Sequence, residues 1–159
     1  MLFEKILRLG NPKLYKKSSK VLPEEVESLL PIANELHELI LECRSVYGFG
    51  RGIAAPQIGV MKSLVCLNLD KPYILFNPQL SSLSDDMFEL WDDCMCFPGL
   101  LVKLKRHVSC TLTFYDENWK EHTWQIENDI SELLQHEVDH LNGILATQRA
   151  MDDKSFQVK

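Results

Sequence analysis

The residues best suited to chemistry stand together near the end of the chain, in the order Gln135-His136-Glu137-Val138-Asp139-His140. Two histidines one helical turn apart lie on the same helix face, so both imidazoles can bind one metal ion. Glu137 falls inside the apolar arc of that helix, where an unpaired carboxylate is costly and a nearby cation relieves the cost. The spacing predicts a metal site with a carboxylate beside it. The alternative is that these side chains only form ordinary hydrogen bonds on the helix.

A site of this kind needs a further protein ligand, and the sequence limits where it comes from. Residues 141–159 contain no His, Glu or Cys, and only Asp152 and Asp153 remain there as weak candidates. The ligand is therefore expected upstream, where Cys94 and Cys96 offer two thiols suited to zinc or ferrous iron. If this stretch is extended, both thiols can face the metal; otherwise one binds it and the other packs. Both could also be small core residues.

A glycine-rich segment at residues 48–57 is a third candidate for function. Its glycines allow close backbone approach, and it also carries two small alanines and the amide side chain of Gln57. Such a segment can wrap a peptide substrate, although a packing loop has the same composition.

An amphipathic helix is predicted upstream of this segment. Pro23 is suited to the first turn of a helix, and apolar residues recur at three- and four-residue spacing from Val26 to Ile40. Gly48 is expected to follow its end, and Pro31 is expected to break or kink it near its start.

Strands are expected in the middle of the chain. Residues 63–70 and 73–76 have the character of short buried strands, the second closed by Asn77-Pro78. Residues 108–115 alternate between apolar and polar side chains, and a second run through 124–126 follows a turn, which predicts a hairpin with one buried face.

The helix with the two histidines is expected from Asp129 to Asn142, with Asp129 and Glu132 forming a capping box and Gly143 following its end. Its predicted solvent face consists of Glu132, Gln135 and Asp139. Strands between two helices predict one α+β domain over residues 1–159, with mixed or antiparallel sheets packed around the C-terminal helix and an N-terminal amphipathic helix. Residues 151–159 are expected to fray.

Composition excludes several classes of partner. The 17 Lys+Arg against 23 Asp+Glu give a formal charge of -6, which argues against direct nucleic-acid binding. A sparse lysine cluster at residues 13–20 is typical of a solvated face. No apolar run approaches the ~20 residues that cross a bilayer, so no membrane contact is expected. Five cysteines, an odd number, fit a reducing compartment and a cytoplasmic protein.

The three candidate segments together resemble the signature motifs of the peptide deformylases, which are Gly-x-Gly-x-Ala-Ala-x-Gln, Glu-Gly-Cys-x-Ser and Gln-His-Glu-x-Asp-His. In this sequence they correspond to residues 50–57, 92–96 and 135–140. The resemblance extends to residues 6–12 and 140–143, so it spans nearly the whole chain. It implies a hydrolase that removes the formyl group from formyl-methionyl peptides and releases formate.

The resemblance also implies a role for each matching residue. The implied metal ligands are Cys94, His136 and His140, which would hold one divalent ion, natively Fe²⁺, with Zn²⁺, Ni²⁺ or Co²⁺ as substitutes. Glu137 would act as general acid/base, and the oxyanion would be stabilised by the Gln57 amide and the Met95 backbone N–H. The implied substrate-binding residues are Arg51, Gly52 and Ile53. The implied partners are an N-formylated peptide and, transiently, the ribosome.

The second motif departs from the family pattern. Asp92 and Asp93 replace Glu-Gly, Cys96 replaces Ser, and in the first motif Arg51 stands where the family usually has an aliphatic residue. Arg51 either reads a carboxylate of the substrate or pairs with an acidic neighbour such as Asp93. These departures leave two alternatives open: a relative that cleaves another small formyl or acyl amide, and an inactive metal-binding or ribosome-associated module.

Overall fold

The computed structural model describes residues 2–159 and confirms the predicted α+β class. Within these residues there are two α-helices and eight β-strands. The helices are α1 (Val26–Tyr47) and α2 (Asn128–Leu141). The strands are β1 (Gly52–Ala54), β2 (Leu64–Asn68), β3 (Pro72–Ser81), β4 (Met87–Asp92), β5 (Leu100–His107), β6 (Ser109–Tyr115), β7 (Glu121–Glu127) and β8 (Phe156–Val158).

A five-stranded antiparallel sheet in the order β1-β2-β3-β6-β7 separates the two helices. Strand β2 contributes side chains to the packing on both faces of this sheet, because alternate side chains of a strand point to opposite faces. Leu64 and Cys66 pack in the same apolar cluster as the buried residues of α1, whereas Val65 and Leu67 pack in the cluster that contains Leu133 of α2. Burial on both faces explains the continuous apolar character of this strand.

A second antiparallel sheet, β4-β5-β8, covers another side of α2. Its side chains Val102 and Leu104 are fully buried, and Arg106 on the same face of β5 reaches the polar side of α2. The C-terminal helix therefore has a sheet on each side, as the sequence predicted.

Several boundaries differ from those expected. The glycine-rich segment is not only loop, because Gly52–Ala54 form β1 and Ala55–Ile58 form a 3-10 turn. Strand β3 does not close at Asn77-Pro78 but continues past an irregularity between Phe76 and Gln79. Helix α1 is not broken at Pro31, whose ring lies on the exposed face, and it ends at Gly48 as predicted.

Strand β5 was not expected, and the prediction that residues 151–159 fray is wrong. Residues 156–158 form β8, which pairs with the beginning of β5 through Leu100↔Val158 and its neighbours. Neither helix in the described part of the chain is both long and apolar enough to cross a membrane.

Candidate metal centre and active-site cavity

Helix α2 begins at Asn128 and is capped differently from the prediction. Its N-cap residue, Glu127, makes no side-chain cap hydrogen bond, and Glu132 pairs with Arg51 instead of closing a capping box. The end of the helix is as expected, with Gly143 in the left-handed region at φ 72°. A Cβ on Gly143 would lie 2.6 Å from the carbonyl carbon and oxygen of Tyr15, so the close approach of the N-terminal segment requires glycine here.

Three buried side chains converge where α2 meets the loop after β4. Ligand atoms of Cys94, His136 and His140 all lie within 4.8 Å of one another. His140 Nε2 is 3.2 Å from His136 Nε2 and 3.4 Å from Cys94 Sγ. A tetrahedral ion with bonds of about 2.0–2.3 Å separates its ligand atoms by roughly 3.3–3.6 Å. One sulfur and two nitrogens at this spacing therefore fit one zinc or ferrous ion.

The orientation of His136 is fixed by Asp92, the last residue of β4. His136 Nδ1–H donates to Asp92 Oδ2 at 2.8 Å, which points Nε2 towards Cys94 and His140. Burial alone would lower the pKa of His136, but the Asp92 carboxylate raises it to about 9. This means that the site favours a positive charge at Nε2, which a divalent cation provides with the ring neutral. Burial and the neighbouring His136 lower the pKa of His140, so its ring is neutral as well.

Glu137 is a buried carboxylate with one oxygen that lacks a hydrogen-bond partner among the described residues. The residue is only 3% exposed, and the oxygen without a partner is Oε2. Burial raises its pKa to about 7. A carboxylate in this setting is stabilised by a cation nearby, which agrees with the neighbouring cluster of candidate ligands.

The Gln57 side chain points its amide nitrogen at the cluster. Ala54 N–H donates to Gln57 Oε1 at 2.9 Å, which turns Nε2 towards the thiols, 3.8 Å from Cys94 Sγ and 3.5 Å from Cys96 Sγ. Met95 is buried beside Cys94 and lines the same cavity as Gln57. The Gln57 amide and the residue Met95 therefore both border the space next to the candidate ligands.

The two thiols differ in position. The stretch 93–96 is loop and turn instead of strand, so the extended alternative, with both sulfurs facing the metal, is excluded. Cys94 joins the two histidines, and Cys96 lies outside that group of ligand atoms. The Cys96 backbone N–H donates to Cys94 Sγ at 3.5 Å, and such a bond stabilises a thiolate.

The predicted solvent face of α2 is wrong, because Glu132, Gln135 and Asp139 are all buried. Asp139 accepts hydrogen bonds from Arg106 at 2.7 Å and from Arg149 at 2.5 Å. Gln135 bonds both backbone groups of His107, accepting from its N–H and donating to its carbonyl. The sheet β4-β5-β8 thus covers a polar face that periodicity alone assigns to water.

Arg106 is the functional residue that the sequence reasoning missed. It is 2% exposed and lies between Asp139 and Asp92, donating to Asp92 Oδ2 at 3.3 Å. It therefore supports the carboxylate that orients His136. The sequence held no local signal for this role, because strand β5 was not expected and an arginine breaks the alternation of apolar and polar residues there.

A cavity of about 250 Å³ opens next to the cluster. Its walls include Phe49, Arg51, Gly52, Gln57, Leu90, Trp91, Asp93, Cys94, Met95, Leu133, His136 and Glu137. Gly52 is close to Glu137, since a Cβ there would lie 3.3 Å from Glu137 Cγ. Arg51 is a wall residue whose guanidinium is already paired with Glu132 and, at 3.7 Å, with Asp129. Ile53 is fully buried in the core and is not among the residues that line the cavity.

Known proteins resemble this chain in both sequence and fold. The family model of polypeptide deformylase matches residues 3–156. The chain belongs to the polypeptide deformylase family. A peptide deformylase of Leptospira biflexa is 32% identical over 170 residues, covering 98% of this chain and 92% of that protein.

Solved deformylase structures have the same fold. The peptide deformylase of Synechococcus elongatus in complex with actinonin has a TM-score of 0.85 at 25% identity, covering 93% of this chain and 79% of that chain. A Plasmodium falciparum peptide deformylase in complex with an inhibitor has a TM-score of 0.82 at 26% identity, covering 92% and 89%. The family is one of metal-dependent hydrolases that act on formylated peptides, and the ligand cluster described above is consistent with that chemistry.

Proposed function

We propose that this deformylase removes the formyl group from N-formyl-methionyl peptides and that Cys94, His136 and His140 hold the metal for that reaction. The observation that carries the proposal is the convergence of these three donors beside Glu137, whose Oε2 is buried without a partner. A divalent ion held there supplies Lewis-acid chemistry at the formyl carbonyl. Everything else in the reaction falls to side chains and backbone groups of this chain.

Glu137 is the proposed general acid/base. Its carboxylate accepts a proton from the attacking water and then delivers that proton to the amine of the departing peptide. Burial raises the pKa of Glu137 to about 7 with no ion in the site, and a divalent cation beside it lowers that pKa and favours the carboxylate form that accepts the first proton. The products are formate and a peptide with a free amino terminus.

Gln57 and Met95 are the proposed oxyanion donors. The carboxamide of Gln57 is held by Ala54 N–H, so its N–H₂ group does not need to reorient when charge develops on the formyl oxygen. The Met95 backbone N–H is the second donor, from a buried residue next to the ligand Cys94.

The cavity walls are proposed to bind the peptide. Gly52 supports this by its proximity to Glu137, since a Cβ there would lie 3.3 Å from Glu137 Cγ and only the bare backbone of glycine fits beside that side chain. Arg51 lines the cavity, but its guanidinium already pairs with Glu132 and Asp129. This pairing favours a structural role for Arg51 over binding of a substrate carboxylate. Ile53 can contribute only backbone groups, because its side chain belongs to the core.

Ferrous iron is the proposed native ion, with zinc, nickel and cobalt as substitutes. One thiolate and two imidazoles form a donor set that all four ions accept, and availability decides among them. Five free cysteines support action in the reducing cytoplasm, where the proposed partners are formylated nascent peptides and, transiently, the ribosome.

The test is direct release of formate from formyl-Met-Ala by protein loaded with Fe²⁺ under nitrogen, with Glu137→Gln as the matched control. Wild-type protein should release one formate for each free amino terminus formed, and the control should release almost none while retaining its iron. An iron-loaded wild type that binds formyl-Met-Ala but releases no formate would contradict the proposal.

A further inference from the structure

Lys159 reaches the rim of the active-site cavity from outside the segment that matches the family. Its backbone N–H donates to the Gly99 carbonyl at 3.1 Å, which continues the pairing between β8 and β5. Its side chain then extends so that Nζ lies 3.2 Å from Asp93 Oδ2 and 3.9 Å from the centroid of the Phe49 ring. The ammonium group therefore makes both an ion pair and a cation–π contact.

The two partners of Lys159 belong to different walls of the cavity. Phe49 belongs to the glycine-rich segment that carries Gly52, and Asp93 immediately precedes the proposed ligand Cys94. Asp93 stands where the family motif has glycine, and Lys159 lies beyond the matched residues 3–156. The contact thus includes one residue, Asp93, that departs from the family motif, and it connects the two sides of the cavity mouth.

The charge balance at the mouth depends on this contact. Asp93 lines the cavity and immediately precedes the proposed ligand Cys94, so its charge lies at the edge of the proposed substrate path. At physiological ionic strength charges interact over about 8 Å before salt screens them. The Asp93 and Lys159 side chains are 37% and 31% exposed, so they are accessible to a charged side chain of a bound peptide.

We propose that Lys159 is a positioning and specificity-determining residue. Its ammonium group neutralises the charge of the Asp93 carboxylate and holds that carboxylate near the Phe49 ring. With both charges present, the mouth accepts acidic and basic peptides alike beyond the formyl-methionine. Without Lys159, the unpaired Asp93 carboxylate favours basic peptides and repels acidic ones. This inference rests on the proposed deformylase function and concerns the same cavity.

The test compares formyl-Met-Ala-Lys-amide with formyl-Met-Ala-Glu-amide as substrates of the full-length, metal-loaded chain. Lys159→Met should raise the ratio of kcat/KM for the basic over the acidic peptide about fivefold, through KM, and Asp93→Asn should lower it by a similar factor. The double variant and Lys159→Arg should both return to the wild-type ratio. The matched control is Lys154→Met, which makes the same charge change on the same terminal segment, away from the mouth.

The same ratio is then measured by calorimetry, as dissociation constants of both peptides on the Glu137→Gln background, where turnover does not interfere. Equal ratios for Lys159→Met and Lys154→Met, or a change confined to kcat, would overturn the role of Lys159. Formate release by the wild type with unchanged ratios refutes only this inference. Shifted binding ratios without any formate release refute only the proposed reaction. A protein that neither binds nor cleaves the peptides refutes both.

Discussion

The substitution Gly52→Ala tests how closely the residues around Glu137 are packed. A Cβ at this position would lie 3.0 Å from Leu67 Cδ2, 3.3 Å from Glu137 Cγ and 3.3 Å from Leu133 Cδ1. Ordinary contacts between carbons are about 3.5–4.0 Å, so each neighbour must shift by several tenths of an ångström. Overpacking of this size costs about 1–3 kcal/mol of folding free energy. Because misplacement of a catalytic group by about 1 Å can cost a hundredfold in rate, a smaller shift of Glu137 should cost roughly tenfold.

The assay measures three quantities for Gly52→Ala. These are the free energy of unfolding in urea, metal content, and kcat/KM for formyl-Met-Ala. Metal content should stay at the wild-type value, since none of the three atoms nearest to the added methyl group belongs to a proposed ligand. Gly99→Ala is the matched control, because a Cβ there has no atom within 4 Å. A Gly52→Ala protein with wild-type stability and activity would refute the close approach of Gly52 to Glu137.

Three further predictions concern single side chains. Glu137→Gln should retain the ion but lose about 10²–10⁴ in kcat, because the amide fills the space without accepting a proton; a normal rate in metal-loaded protein would exclude the assigned role. Ferrous protein should lose activity in air, and Cys96→Ser should slow the loss, because a second thiol beside the ligand offers a route of oxidation; equal half-lives would remove Cys96 from that argument. Amidating the C-terminus of formyl-Met-Ala should change kcat/KM equally in wild type and Arg51→Ile, because the guanidinium is already paired; an effect seen only in the wild type would show that Arg51 reads the substrate carboxylate.

The parts of the fold that the sequence predicted are those set by local pattern. The hairpin of β6 and β7 follows from alternation with period two, and α2 follows from helical periodicity with a glycine after its end. The two histidines share a face because their spacing is one turn, which no tertiary contact can change. These signals lie within a few residues of one another, so a single sequence contains them.

The parts that the sequence did not predict depend on partners distant along the chain. Asp139 and Gln135 have the polar character of a solvent face, and only the packing of β5 against α2 makes them buried. Strand β5 was not predicted because Arg106 occupies an inward position where alternation leads one to expect an apolar residue. Likewise β8 is ordered by pairing with β5, more than fifty residues earlier in the chain. No local periodicity encodes such contacts.

Metal stoichiometry in ligand variants tests the central claim most directly. Plasma mass spectrometry on purified, iron-reconstituted protein should give one divalent ion per chain for wild type and for Cys96→Ala. It should give almost none for Cys94→Ala, His136→Ala or His140→Ala, since loss of one of three protein ligands leaves an incomplete site. Full metal content in Cys94→Ala together with loss in Cys96→Ala would contradict the assignment of this centre.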